Sequence, residues 1–129
     1  MLNKRTFLSG VMATGIAMTA ARQVFAQAYP TRTIKIVVPF PPGGPTDVTA
    51  RLVAARLQAR LGQSVIVESR PGGAGGTVGA KAVAASEPDG YTLLLALTGT
   101  LTISPAIYKN SGYDTLKSFT PVAMIGTSG

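Results

Sequence analysis

The 129-residue chain is 46% hydrophobic and 13% charged, a balance that supports a folded core and argues against wholesale disorder. Its formal charge of +7 suggests a nucleic-acid partner only until the charges are located. Lys4, Arg5 and Arg22 lie in the leading segment, and beyond it nine scattered basic residues face five acids, a net +4 with no basic run and little aromatic interleaving, which excludes nucleic acid and leaves a mild preference for anions. With no Cys and no His, the chain has no disulfide, thiol nucleophile, imidazole base or zinc site of the usual kind.

Met1–Arg5 holds two positive charges, Thr6–Ala21 is mostly apolar or small, and Val24-Phe25-Ala26-Gln27-Ala28 offers small residues at the spacing a signal peptidase reads. Residues 1–28 are therefore expected to be an export signal cut after Ala28, with Ala26 as the alternative. The apolar run is shorter than the roughly 20 residues that cross a bilayer, and Gly10, Thr14, Gly15 and Thr19 dilute it. No direct membrane insertion is expected once the signal is removed. Lys4-Arg5-Thr6-Phe7-Leu8 resembles a twin-arginine signal with Lys in place of the first Arg, so either that route or Sec leads to a periplasm-like space.

Thr33–Val38 is a β-branched run ending at Pro39, as in a buried strand of a parallel sheet. The segment Pro39–Pro45 is a turn, Thr46 or Asp47 stands where an N-cap belongs, and Val48–Leu61 is a helix stopped by Gly62. Val48, Leu52, Ala55 and Ala59 form one apolar stripe, and Ala50, Ala54, Leu57 and Leu61 a second, which predicts packing on more than one side. The pattern then repeats: strand Ser64–Glu68, turn Arg70–Gly76, Ala-rich helix Thr77–Ser86, turn Pro88–Gly90 and strand Tyr91–Leu97. A polar loop Thr98–Thr100, a helical turn Ser104–Lys109 and a fourth strand Phe119–Ile125 complete the reading. The class is α/β, built of βαβ units around a parallel sheet with right-handed crossovers. The chain ends directly behind the fourth strand, without the helix or further strand needed to close the sheet, so 29–129 is expected to be incomplete and the whole a fragment.

In an open parallel sheet, ligands bind beyond the carboxyl ends of the strands. Three loops lie there: Phe40–Asp47, Gly72–Thr77 and Thr98–Thr100. The first two open helices, whose free N–H groups and positive dipole ends favour a carboxylate or phosphate. The candidate ligand-binding residues are Phe40, Pro41, Gly43, Gly44, Thr46, Asp47, Gly75, Gly76, Thr77, Thr98 and Thr100. Each also has a purely local explanation, because Gly and Pro turn the chain and Asp47 caps a helix. Arg51, Arg56 and Arg60 read as a solvated helix face. Glu68, at the end of the second strand, stands near where a dinucleotide-binding fold holds its ribose, which keeps a nucleotide-binding enzyme as an alternative. Neither G-x-G-x-x-G nor G-x-x-x-x-G-K-[ST] is present, so no cofactor is expected.

Four linked strings, Tyr29-Pro30 with Lys35–Arg51, Glu68–Gly76, Pro88–Leu94 and Lys117–Ala123, resemble the Bug family of tripartite tricarboxylate transporter receptors in order and spacing. Thr77 replaces the family's usual Asn. The resemblance implies a two-lobed periplasmic binding fold, type II-like, that closes on a small organic carboxylate without catalysis and delivers it to membrane components of the transporter. It implies that Phe40–Asp47 and Gly72–Thr77 hold a carboxylate through backbone amides while Thr98–Thr100 lines the cleft. A receptor that hands its liganded form to a sensor protein is a further alternative.

Overall fold

The computed structural model describes residues 28–108 and 110–127. The proposed signal, apart from Ala28, lies outside them. Strand β1 (Ile34–Val38) is central in a three-stranded, all-parallel sheet of order β2-β1-β3, with β2 at Val65–Ser69 and β3 at Thr92–Leu94. Ile36 pairs with Val67 on one side and Leu93 on the other. A central parallel strand is covered on both faces, which is why β1 reads as a continuous β-branched run. Ile34, Ile36 and Val38 pack with Ala50, Ala54 and Val65 in one cluster, and Val37, on the opposite face by alternation, is also buried.

Helix α1 (Pro45–Leu61) connects β1 to β2, and helix α2 (Thr77–Ala84) connects β2 to β3 across the sheet. Right-handed crossovers running in opposite directions place the two helices on opposite faces. On α1, Ala50 and Ala54 are buried against the sheet with Leu57 beside them. The stripe that begins Val48, Leu52 behaves otherwise than expected: those two residues are 51% and 65% exposed, and no described element covers them.

The helix begins three residues before the expected Val48. Gly44 is its N-cap and Pro45 its first residue, because a fixed φ and an absent N–H suit that position. Neither Thr46 nor Asp47 caps it. At the other end Gly62 adopts φ +67 and its N–H closes on the Gln58 carbonyl, as a left-handed helix stop does. The second helix ends at Ala84, two residues short of Ser86.

Three further expectations need correction. The third strand is three residues long rather than seven, although Tyr91 O and Leu95 N still bond to β1 at its ends. The segment read as the loop Thr98–Thr100 is helical: Thr98 has α dihedrals, Gly99–Ile103 forms a wide π-type turn, and this runs into a short helix α3 (Ser104–Ile107). Phe119–Ile125 forms no strand; Val122 and Met124 are each 82% exposed, and without a ladder partner an apolar run has nothing to hold it extended.

Close backbone packing joins α2 to the end of β1. A Cβ added to Gly79, in the first turn of α2, would stand 2.8 Å from Pro39 Cβ and 2.9 Å from the Arg70 carbonyl oxygen. Alanine is ordinarily the better helix former by about 1 kcal/mol. Here the overlap reverses that preference, and Gly79→Ala should destabilise the fold by about 1–3 kcal/mol in urea titration. A stabilised variant would show that α2 is free to move off Pro39.

Candidate functional site

The loops at the carboxyl edge of the sheet are joined by named contacts. Pro39, buried at the end of β1, is also the neighbour of Gly76: a Cβ there would come within 2.7 Å of Pro39 Cβ and 2.9 Å of its oxygen. Gly76 has φ +83 and Gly75 φ +65, left-handed conformations that glycine adopts without strain. The start of α2 therefore lies directly over the end of β1. Because β2 and β3 flank β1, this edge is also where the strand order reverses, the crevice position of open α/β sheets.

Asp47 ties the first loop to the second. It is buried, and its carboxylate accepts the Gly43 N–H at 3.0 Å, Arg51 Nε at 2.8 Å and Nη2 at 3.2 Å, and the Ser69 hydroxyl at 3.2 Å. Gly43 takes φ +84 and turns its N–H back onto that carboxylate. The Arg51 hydrogen bonds, then the Gly43 amide, hold the Asp47 carboxyl below its ordinary 3.8 against the opposing effect of burial, and Ser69 adds to them. Arg51 is thus no mere solvated residue, although Arg56 and Arg60 are exposed. The charge of Asp47 is compensated inside the protein, so it does not repel an anion as a free carboxylate would.

With Gly43 engaged, the donors left at the start of α1 are the Gly44, Thr46 and Asp47 N–H groups, which have no backbone acceptor among the described residues. In the second loop the Gly75 N–H is in the same condition, while Gly76 N–H makes a long 3.4 Å bond to Gly73 O. The hydroxyls of Thr46, Thr77 and Thr98 form no hydrogen bond among the described residues, unlike those of Thr49, Thr100 and Thr115. Thr77 Oγ1 leans over the second loop, 2.1 Å from where a Gly73 Cβ would stand.

The eleven sequence candidates therefore separate. Gly44, Thr46, Gly75, Gly76 and Thr77 surround the two helix starts; Pro41 is exposed at the turn and Thr98 beyond β3. Phe40 packs against the hydrophobic cluster. Gly43 and Asp47 bond to each other. Thr100 is fully buried, its hydroxyl 2.6 Å from Gly75 O, so it faces the second loop and not open space. Glu68, the alternative ribose acid, is paired with Lys35 at 2.8 Å and with Arg70, which lowers its pKa, Lys35 having the larger effect.

Sequence reasoning missed Ser69 and Ser104. Ser104 Oγ donates to Ala74 O at 3.1 Å, one residue before the carbonyl that Thr100 holds. The i, i+4 spacing of Thr100 and Ser104 would have signalled a shared helical face had that stretch been read as helix. A shallow apolar hollow lined by Leu52, Val53, Arg56, Leu57, Ala59 and Arg60 lies along α1, away from the glycine loops. Among the described residues no group of acids could hold a metal ion.

Because the folded pKa of Asp47 is depressed, its pairing stabilises the protein at pH above 3.8 and is lost as pH falls through the folded value. Asp47→Asn should lower the thermal midpoint at pH 7 and flatten the acid loss of stability between about pH 5 and 2. Circular dichroism melts across that range check it, and an acid limb identical to the parent's would contradict the assignment.

Residues 49–129 match the family description "Tripartite tricarboxylate transporter family receptor". The chain is 47% identical over 107 residues to Protein BugT of Bordetella pertussis, covering 82% of this chain and 32% of that protein. Among solved structures it is similar to the periplasmic binding protein BugD (48% identity, TM-score 0.68, 72% of this chain and 30% of that one). It is also similar to MatC of Rhodopseudomonas palustris with bound malate (44% identity, TM-score 0.70, 75% and 33%). The chain spans about a third of the length of the curated relatives it matches. With the parallel α/β arrangement and the paired helix starts already in place, these matches make the chain a member of the tripartite tricarboxylate transporter receptor family.

Proposed function

We propose that the protein is a non-catalytic receptor that captures a small organic carboxylate in the periplasm and passes it to the membrane components of a tripartite tricarboxylate-type transporter. The observation that carries this reading is the placement of two helix starts at one sheet edge, with the Thr46, Asp47 and Gly75 N–H groups lacking backbone acceptors among the described residues. Such an edge favours negative charge through both hydrogen bonds and the helix dipoles. It requires neither a metal nor a nucleophile. A carboxylate whose oxygens accept from both loops would be held as a fork, with Thr46 and Thr77 hydroxyls in reach of the same edge. MatC, similar over three quarters of this chain, was solved with bound malate.

In this reading residues 1–28 are the export signal, and residues 29–129 contribute to the first lobe of a two-lobed clamp. Closure over the ligand excludes water and strengthens each amide contact. The nucleotide-enzyme alternative loses its acid, because Glu68 is engaged by Lys35 and Arg70.

Calorimetric titration of the full-length protein against L-malate, succinate, adipate, citrate, L-glutamate and benzoate tests the proposal, with NAD and ATP as controls. Saturable binding of at least one carboxylate and of neither nucleotide is expected. Failure to bind any of the six acids, or tight binding of a nucleotide, would overturn it.

A further inference from the structure

Resting on the carboxylate-receptor reading, we infer that Thr100 and Ser104 are positioning residues: buried hydroxyls that orient the second glycine loop so that its amides can meet an anion. Neither needs to touch the ligand. Both sit on the helical segment after β3, Thr100 fully buried and Ser104 only 4% exposed. Thr100 Oγ1 donates to Gly75 O at 2.6 Å, and Ser104 Oγ donates to Ala74 O at 3.1 Å. Two consecutive carbonyls of one loop are thus drawn toward the same helical face.

The consequence follows from the planarity of the peptide. In a trans peptide the C=O and the next N–H point in opposite directions. Holding Ala74 O toward Ser104 turns the Gly75 N–H away from it, and holding Gly75 O toward Thr100 turns the Gly76 N–H away likewise. The Gly75 N–H, like those of Gly73 and Ala74, has no backbone acceptor among the described residues, and it is the one whose peptide carbonyl Ser104 holds. Gly75 and Gly76, at φ +65 and +83, have no side chain to resist a peptide flip, so something outside the loop must choose the orientation. A flip would present carbonyl oxygens where the carboxylate needs donors, converting an attractive edge into a repulsive one.

The clamp is itself supported from behind. Tyr113 donates its hydroxyl to the Thr100 carbonyl, and Thr115 Oγ1 donates to the Leu101 carbonyl at 2.7 Å. The fit also leaves no slack in front: a Cβ on Gly75 would lie 2.2 Å from Ser104 Oγ. Hydroxyl, carbonyl and glycine therefore specify one another. Thr100, read from sequence as a ligand contact, acts on the ligand through Gly75.

The test uses the full-length protein and L-malate, succinate and adipate as probes. Thr100→Val, which keeps the shape and removes the hydroxyl, and Ser104→Ala should each weaken binding of whichever probe the parent takes by about fivefold to tenfold, and the double variant by more. Thr100→Ser should restore affinity to within about twofold, because the donor is retained. Ile34→Val, at the far end of β1, serves as a control for general loss of stability and should leave affinity unchanged.

Residual dipolar couplings of the Gly75 and Gly76 N–H vectors, measured without ligand, supply the second readout. They should change in Thr100→Val and Ser104→Ala and stay as in the parent in Thr100→Ser and Ile34→Val. Unchanged vectors in the hydroxyl-deleted variants overturn the inference, as does unchanged affinity where the parent binds. If the parent binds none of the probes, the carboxylate reading fails for those acids, while the N–H vectors still decide whether the clamp orients the loop.

Discussion

The contact of Pro39 with the backbone of Gly76 and Gly79 is the constraint from which the rest of the sheet edge follows. It brings the start of α2 within van der Waals distance of the end of β1, a separation available only because both residues lack a Cβ. Pro39 in turn ends the central strand and releases the chain into the turn that begins α1. Two helix starts, from two successive βαβ units, thereby share one strand end. Each contributes a partial positive charge of about half a unit, which is the physical basis of the proposed anion site.

Placing donors together is insufficient unless they remain aimed, and polar side chains provide that at two points. Asp47 collects donors from Gly43, Arg51 and Ser69, so the first loop, α1 and the end of β2 are tied to one carboxylate. Thr100 and Ser104 do the corresponding work from the other flank, on the carbonyls of the second loop. In both cases the buried polar atoms are satisfied, as burial requires. The arrangement makes a buried carboxylate compatible with the proposed anion site, because Arg51 neutralises Asp47 locally.

The limits of sequence reading appear at particular residues. Strand β1 and helix α1 were legible because a continuous β-branched run and Ala/Leu/Arg-rich periodicity are local signals, and Gly62 stops the helix where a left-handed residue belongs. The exact helix start was not, since Gly44 takes the N-cap and Pro45 the first helical position, which puts Thr46 and Asp47 inside the first turn. Phe119–Ile125 failed as a strand because a strand exists only with its neighbour, and that neighbour is a long-range fact. Gly99 and the threonines around it suggested a loop by composition, whereas hydrogen bonds to Gly75, Ala74 and Tyr113 hold the segment in a wide helical turn.

Sequence by itself determined the α/β class, the order of its principal elements and the three segments at the carboxyl edge, because period, propensity and the Gly/Pro punctuation are properties of neighbours along the chain. Only the tertiary structure decided which hydroxyls are free and which are engaged. Thr46, Thr77 and Thr98 differ from Thr100 in nothing that composition reveals; they differ in whether a carbonyl from another loop lies within hydrogen-bonding distance. The physical reason is that a hydroxyl's role is set by its partner, and here the partner is a backbone oxygen 25 residues away in sequence.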